Sequence, residues 1–378
     1  LLPTFTLDAN IGKNYQQPTV ITIPGMGSFS TTPDEAATVK TYSLTLNQLL
    51  FTAGGKMSSI IKVAADAEEA SLQDLRKTES DVTFNVQSAY YGVLKAEKMV
   101  GLVGEQMDNL RKHLSQVKRF HEAGFATQSD VMQVETALAN GRQGEIMARN
   151  GSRLAKLAFN SILSRKLTDD ANLSDEVLNT DTKAVNKDKL LELAYKNRPD
   201  WKAFELAVGI AGEAAELAGT GYWPNVALMG SIGRMSSEYP GAGTSYDLGN
   251  WKAFVAGSWT LFDSFNNQNK YAEARANKDA LEEQRKSVRD GVELEVTSAY
   301  FDLEAGKERI AAAEEAVNLA QRALRYAEIS YAARAGTSLA VLDAEVALNK
   351  AETDLWNAKY DVETAKAKIN KVTGTAVY

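Results

Sequence analysis

The chain has 378 residues and a net charge of −7, with 42 Lys and Arg against 49 Asp and Glu. This acidic balance argues against a nucleic-acid partner, because a nucleic-acid binder needs a basic face. The chain has no Cys and only two His, which excludes disulfides, thiolate metal sites and a His-rich metal centre. No run of 18 apolar residues occurs, so the sequence predicts no transmembrane helix.

Two copies of one unit account for nearly the whole chain. Three motifs recur at an offset of 210 or 211 residues: Leu50-Phe51 with Leu261-Phe262, Ser88-Ala89-Tyr90-Tyr91 with Ser298-Ala299-Tyr300-Phe301, and Val131, Glu135 and Leu138 with Val341, Glu345 and Leu348. The first residues do not form a signal peptide. Because the first copy lacks the helical segment that precedes the strands of the second, we expect a homologous segment upstream of Leu1.

Each copy opens with two segments in which apolar and polar residues alternate. The four segments begin near Thr4, Thr41, Val226 and Trp251. Strict alternation predicts strands with one apolar face, and their length of about 10–13 residues suits a tilted membrane-spanning strand. Aromatic residues near the segment ends are typical of the girdles at bilayer interfaces; they are Tyr15, Phe51, Tyr222, Trp223, Trp251, Trp259 and Phe262. Residues 16–39 and 235–249 are predicted to be irregular loops.

Four strands cannot close a barrel by themselves, and an open strand edge cannot face lipid. If the strands span a membrane, several chains must therefore share one barrel. The alternative is a soluble sandwich with the apolar faces packed together, for which four strands are few.

The second strand of each copy runs into a sustained heptad pattern, which predicts coiled coils. Segments 55–122 and 266–333 are each predicted to be one helix, and Gly124 and Gly336 mark the turns that reverse the chain. Return helices follow each turn, the first at about 128–164. A further helix at about 187–219 is predicted to break at Arg198-Pro199-Asp200.

This order of elements resembles the TolC-like family of outer-membrane efflux proteins over essentially the whole chain. Five groups of motifs carry the resemblance: Leu2-Pro3 and Trp223-Pro224-Asn225-Val226 before strands, Leu50-Phe51 and Leu261-Phe262-Asp263 after them, Ser-Ala-Tyr in both long helices, Arg198-Pro199-Asp200, and Gly336-Thr337 with Val341-Leu342-Asp343-Ala344. No single motif is specific, but their combination in this order is.

The resemblance implies a mixed α/β membrane protein with an internal two-fold repeat. It implies a homotrimer whose twelve-stranded transmembrane β-barrel, with four strands per chain, is continuous with a long α-helical coiled-coil barrel. The expected divisions are 1–52 for the first β-hairpin, 53–164 for the first helical hairpin, 165–186 for an equatorial linker, 187–220 for a helix of the helical barrel, 221–263 for the second β-hairpin, and 264–378 for the second helical hairpin.

The function implied is a passive exit duct in the outer membrane of a diderm bacterium, reaching into the periplasm. Small toxic compounds, drugs or secreted proteins would leave through it. An inner-membrane pump of the RND or ABC type would drive export through a periplasmic adaptor, and no cofactor is implied. A coiled-coil scaffold is the alternative, and an enzyme is disfavoured because no nucleophile–base pair, metal cluster or cofactor loop is visible.

The resemblance also implies a gate at the periplasmic tip, where an aspartate pairs with a tyrosine and an arginine. Asp130 matches the aspartate and Tyr331 the tyrosine, while the arginine position falls on Gly336 with Arg334 nearby. Asp130 is alternatively a helix N-cap, Tyr331 a packed seam residue, and Arg334 a solvated charge.

Asp343 matches one of two aspartates that form acidic rings in the family's pore. Ala340 stands at the other position, so at most one ring is expected here; a surface charge or a helix cap is the alternative. The expected adaptor contacts at the tips are Ala123, Gly124, Ala335, Gly336 and Thr337.

Overall fold

The computed structural model describes residues 3–30, 32–52, 56–171, 173–174 and 186–378. Leu2 and most of the predicted linker at 165–186 lie outside these residues. The elements in chain order are β1 (Thr4–Asn14), β2 (Val20–Ile23), β3 (Gly27–Ser30), β4 (Ala37–Thr52), α1 (Lys56–Glu122), α2 (Gln128–Ile162), α3 (Lys187–Asn197), α4 (Pro199–Gly219), β5 (Asn225–Tyr239), β6 (Thr244–Ser258), α5 (Asn266–Ala332) and α6 (Ser338–Thr373). They fall into two compact units, Leu1–Glu68 with Ala207–Glu282, and Glu69–Leu206 with Glu283–Tyr378.

The first unit contains an antiparallel sheet in the order β1-β4-β5-β6. Residues paired across neighbouring strands lie on the same face of a sheet. One row of paired residues is apolar: Leu7, Leu44, Ile232 and Trp251. The next row is small or polar and faces the other side: Asp8, Ser43, Gly233 and Asn250. The predicted two-faced strands are therefore present.

Strand β1 has the predicted length at 11 residues, whereas β4, β5 and β6 are longer than predicted at 16, 15 and 15 residues. The predicted loop at 235–249 is wrong, because β5 and β6 stay paired as far as Tyr239 and Thr244. Residues 16–39 contain the small hairpin β2–β3, and Trp251 lies within β6 rather than at its end. Alternation marks where one face is apolar, whereas backbone pairing continues through polar residues.

Four long helices follow the predicted pattern. Helices α1 and α5 have 67 residues each, about 100 Å at 1.5 Å per residue. Their bounds agree with the predicted 55–122 and 266–333 to within one residue. The return helices α2 and α6 have 35 and 36 residues. Among the described residues, no helix is long and apolar enough to cross a membrane.

The predicted break at Arg198 is confirmed, since α3 ends at Asn197 and α4 begins at Pro199. Arg198 has extended backbone geometry, as expected before a proline. Its guanidinium donates to both carboxylate oxygens of Asp200, at 2.7 and 2.9 Å, and to Glu295 on α5. This ion-pair network fixes the break against α5.

The second unit has a hydrophobic core beside the helix-reversing turns, called here the tip cluster. Its buried members are Met107, Leu110, Val117, Val131, Val134, Leu138, Leu324, Tyr331, Val341 and Leu342. They come from all four long helices, so the heptad pattern is satisfied by packing both hairpins together. The ends of the two hairpins are consequently held side by side.

Candidate functional site

The two turns follow the same backbone path. In the first, the amide of Phe125 donates to the carbonyl of Phe120 at 2.7 Å; in the second, the amide of Ala335 donates to the carbonyl of Ser330 at 2.8 Å. The left-handed residue before each is Gly124, with φ 75°, and Arg334, with φ 62°. The duplication therefore extends to the hydrogen bonds of the turns.

The second turn lies where Gly336 predicted it, but its positive φ falls on Arg334 rather than on Gly336. The absence of a side chain at Gly336 leaves room for the end of α5 instead. A Cβ at this position would lie 3.1 Å from the Cβ of Ser330 and 3.2 Å from the amide nitrogen of Tyr331. The turn therefore passes close against the last residues of α5, and a side chain at this position would be tightly packed against them.

Asp130 caps α2. Its Oδ2 accepts hydrogen bonds from the Thr127 amide at 2.8 Å and the Thr127 hydroxyl at 2.7 Å, while its own amide donates to the Thr127 hydroxyl. This is a capping box. Thr337 caps α6 in the same way, but Ala340 stands where Asp130 would be and offers no carboxylate. Asp130 thus takes part in capping α2, although the N-cap residue is Thr127 and not Asp130.

Tyr331 is buried in the tip cluster, with its ring centre 5.4 Å from that of His113 and 5.3 Å from that of Phe120. Burial raises the pKa of its hydroxyl, the negative charge of Asp130 raises it further, and the Ser338 hydroxyl opposes the shift. Tyr331 therefore joins α5 to α1 by aromatic packing, and Asp130 is near enough to act on it electrostatically.

Arg334 links the two turns. The centre of its guanidinium lies 3.4 Å from the centre of the Phe125 ring, a cation–π contact. The left-handed backbone at Arg334 presents the side chain toward the first turn. Asp343 is exposed on α6 and forms no ion pair within the described part of the chain.

Of the residues predicted to contact an adaptor, Ala123, Gly124, Ala335 and Thr337 are exposed and Gly336 is half-buried. Their small side chains leave the backbone of both turns accessible.

Sequence reasoning missed two buried polar residues beside the turns. His113 on α1 lies 3.0 Å from the Ser338 hydroxyl, and burial lowers the pKa of its imidazole. Glu345 on α6 is buried, and burial together with the charge of Glu328 raises its pKa to about 7. The sequence contains a pattern that could have indicated Glu345: together with Ser338 it begins a series of polar residues spaced by seven along α6.

Known proteins resemble the chain in sequence and in fold. Escherichia coli outer membrane protein TolC is 27% identical over 348 residues, which cover 88% of this chain and 69% of that protein. The alkaline protease secretion protein AprF of Pseudomonas aeruginosa is 24% identical over 381 residues, covering 99% of this chain and 77% of that one. The crystal structure of the Campylobacter jejuni CmeC outer membrane channel matches with a TM-score of 0.79 at 17% identity, over 99% of this chain and 78% of that chain.

The model of the outer membrane efflux protein family matches residues 1–163 and 190–375. The chain belongs to this family. The predicted fold class is confirmed: the chain has the fold of one protomer of the trimeric outer-membrane channels, with strands and long helical hairpins in two repeats. The protein is an exit duct of the outer membrane, reaching into the periplasm, that serves efflux or type I secretion.

Proposed function

We propose that the two helix-reversing turns are the gate of this duct, and that Asp130, Tyr331, Arg334 and Asp343 act there. The contact between Arg334 and Phe125 carries the proposal, because it joins the end of one hairpin to the end of the other. A channel formed by such hairpins narrows when their ends are held together and widens when they part. Charged and aromatic contacts of this kind can be displaced by a competing partner.

The sheet supports a closed ring of chains. Among the described strands, β1 and β6 each have a neighbour on one side only. Each strand is antiparallel to the next, so β1 and β6 run in opposite directions. The β6 edge of one copy can therefore pair antiparallel with the β1 edge of the next, and three copies give a twelve-stranded barrel without free edges. In this proposal, 1–52 and 221–263 build the membrane barrel.

Helices α2 and α5 expose large apolar side chains that neighbouring copies of the chain would cover. Those exposed on α2 include Met132, Ile146, Met147 and Leu154, and those exposed on α5 include Leu294, Phe301, Leu319, Tyr326 and Ile329. Monomers rarely expose so many large apolar residues along two elements. Contact between α2 of one copy and α5 of the next would bury them and complete the helical tube built from 53–164 and 264–378.

The partners proposed are a periplasmic adaptor at the exposed turns and, through it, an inner-membrane pump of the RND or ABC type. The small residues Ala123, Gly124 and Ala335 let an adaptor approach the backbone closely. Since the adaptor docks where Arg334 meets Phe125, its binding can compete with that contact. Small toxic compounds or a secreted protein would then pass without energy input from the duct itself.

Conductance of the purified trimer in planar bilayers tests the gate. Asp130→Ala and Arg334→Ala are expected to raise conductance, while Arg325→Ala, at an exposed position on α5, is expected to leave it unchanged. Thr127→Ala removes the cap but keeps the charge of Asp130. If Thr127→Ala raises conductance as much as Asp130→Ala, Asp130 acts only as a cap.

Two observations test the assembly. Particle images along the long axis should show threefold symmetry and a central hole, and the protein should fractionate with membranes until detergent releases it. Release into aqueous buffer as a compact monomer would favour the coiled-coil scaffold and contradict the duct.

A further inference from the structure

Helix α6 carries a polar stripe along its packed side. Its members are spaced by seven residues: Ser338, Glu345, Glu352, Lys359, Lys366 and Thr373. Seven residues are two helical turns, so these side chains share one face. Ser338, Glu345, Lys366 and Thr373 are buried, and the other two are half-buried. A polar stripe in a coiled-coil seam costs stability, which makes its charge pattern informative.

The half of the stripe away from the turns is electrically compensated. Lys359 lies 3.4 Å from Glu314 of α5, and Lys366 lies 2.8 Å from Glu363 of α6 itself. Each buried or half-buried ammonium therefore has a carboxylate beside it. This part of the seam contains the balanced charge pairs expected of buried ionic groups.

The half beside the turns has the opposite character, since acids face acids. Glu345 faces Glu328 of α5, whose negative charge raises its pKa in addition to burial. One heptad further on, burial and the charge of Glu105 on α1 raise the pKa of Glu352, while Gln321 and Lys98 oppose the shift. Like charges in a seam favour the neutral carboxyl and repel once both are ionised.

Glu345 is the more constrained of the two acids. Only 6% of its surface is exposed, and its Oε2 has no hydrogen-bond partner among the described residues. It follows Val341 and Leu342, which belong to the tip cluster. A protonated carboxyl fits such a site, whereas an ionised carboxylate there is buried without compensation. The pKa of about 7 reflects this preference.

Glu328 is the charged group of α5 that acts on Glu345. On α1, the contacts His113–Ser338 and Gln106–Asn349 bracket Glu345. Between them Asp108 and Arg111 pair with each other at 2.6 Å, and Lys112 is exposed.

On α2, Asp130 is held in its cap and Glu135 pairs with Lys118 at 2.7 Å. On α6 itself Asp343 is exposed and Lys350 is also exposed.

We propose that Glu345 is a proton-sensitive latch between α6 and α5: the protonated carboxyl lets the two helices pack beside the turns, and the carboxylate loosens them. That loosening opens the duct rests on the gate proposed above; the loosening itself does not. The latch gives the tip a dependence on periplasmic pH.

The pH window follows from the two states of the carboxyl. In the packed state the pKa is about 7, and in a loosened, hydrated state it returns toward 4.5. Between these values the packed state holds the proton and the loosened state does not. The equilibrium constant between the packed and the loosened state, called here the opening constant, therefore rises about tenfold per pH unit from roughly pH 5 to pH 7. Above pH 7 it no longer changes with pH. His113 acts in the opposite direction below pH 6.5, because burial lowers its pKa.

Hydrogen exchange on the reconstituted trimer measures the opening constant of the 324–348 region, corrected for intrinsic exchange, from pH 5 to pH 8. The ratio of the opening constants of wild type and Glu345→Gln isolates Glu345, because His113 is present in both. This ratio is expected to rise at least tenfold between pH 5 and 7 and then to level off. Asp354→Asn, at an exposed position on α6, should give the wild-type profile. A ratio independent of pH overturns the latch.

Glu328→Gln is the second variant, and it keeps Glu345 in place. Removing the neighbouring charge should move the levelling of the wild-type profile to lower pH, and an unmoved profile contradicts the role given to Glu328. Conductance over the same pH range separates the two proposals. If the opening constant changes with pH while conductance does not, the role of Glu345 is supported and the gate at the turns is contradicted. If the opening constant does not change with pH, the role of Glu345 is contradicted whatever the conductance.

Discussion

Gly124 and Arg334 hold the same left-handed position in two turns that lie 210 residues apart, yet only one of them is glycine. A left-handed backbone costs a non-glycine residue about 1 kcal/mol. The cation–π contact of Arg334 with Phe125 contributes about 0.5–1 kcal/mol in return. In the second turn, the contact of Arg334 with the first turn therefore offsets the cost of its left-handed backbone.

Replacing Arg334 by glycine separates the strain from the contact. Arg334→Gly relieves the strained backbone and removes the stack, so the melting temperature of the trimer should change little while conductance rises. Phe125→Leu removes the ring without relieving the strain, and should lower stability by about 0.5–1 kcal/mol. A large loss of stability in Arg334→Gly with unchanged conductance would show that the side chain serves the fold rather than the gate.

The two N-caps allow a matched pair of substitutions. Thr127→Ala removes the cap of α2 and should cost about 1 kcal/mol. Ala340→Asp places a carboxylate three residues after Thr337 and should build the missing capping box, raising stability by a few tenths of a kcal/mol. Thermal denaturation of the trimer measures both. No gain from Ala340→Asp would mean that the second turn cannot orient the new carboxylate as the first orients Asp130.

The helices and the break at Arg198 were predictable because their signals are local and periodic. Heptads fixed α1 and α5 to within a residue, and the clash before Pro199 set the end of α3. The ends of β5 and β6 could not be predicted, because backbone pairing continues through polar residues such as Ser236 and Asp247. At the site, a capping role for Asp130 was predictable from its position at the start of the return helix. The burial of Glu345 did not, since a polar seam residue looks like a solvated one until its neighbours are known.

His113 gives a second pH dependence, with the sign opposite to that of Glu345. Burial holds the pKa of its imidazole below the ordinary 6.5. At pH below 6.5 the unfolded chain binds a proton that the folded chain does not, so this residue lowers the free energy of unfolding as pH falls. His113→Gln should therefore diminish the loss of thermal stability between pH 7 and pH 5. If the thermal stability of the variant falls with pH as steeply as that of the wild type, the acid sensitivity comes from another residue.

Gly306 sets the approach of α5 to α6. A Cβ there would lie 2.7 Å from Cγ2 of Val362, a buried and branched side chain that has little room to move. Gly306→Ala should therefore cost about 1–2 kcal/mol, because overpacking outweighs the roughly 1 kcal/mol that alanine adds to helix stability. Gly291 on the same helix has nothing within 4 Å of its added Cβ, so Gly291→Ala should raise stability. Val362→Ala in the Gly306→Ala background should recover part of the loss by removing the methyl group in conflict. Thermal denaturation of Gly306→Ala, Gly291→Ala, Val362→Ala and the 306/362 double variant decides. Additive effects of the substitutions at 306 and 362 would mean that the two side chains do not meet, and the close approach of α5 to α6 would need another cause.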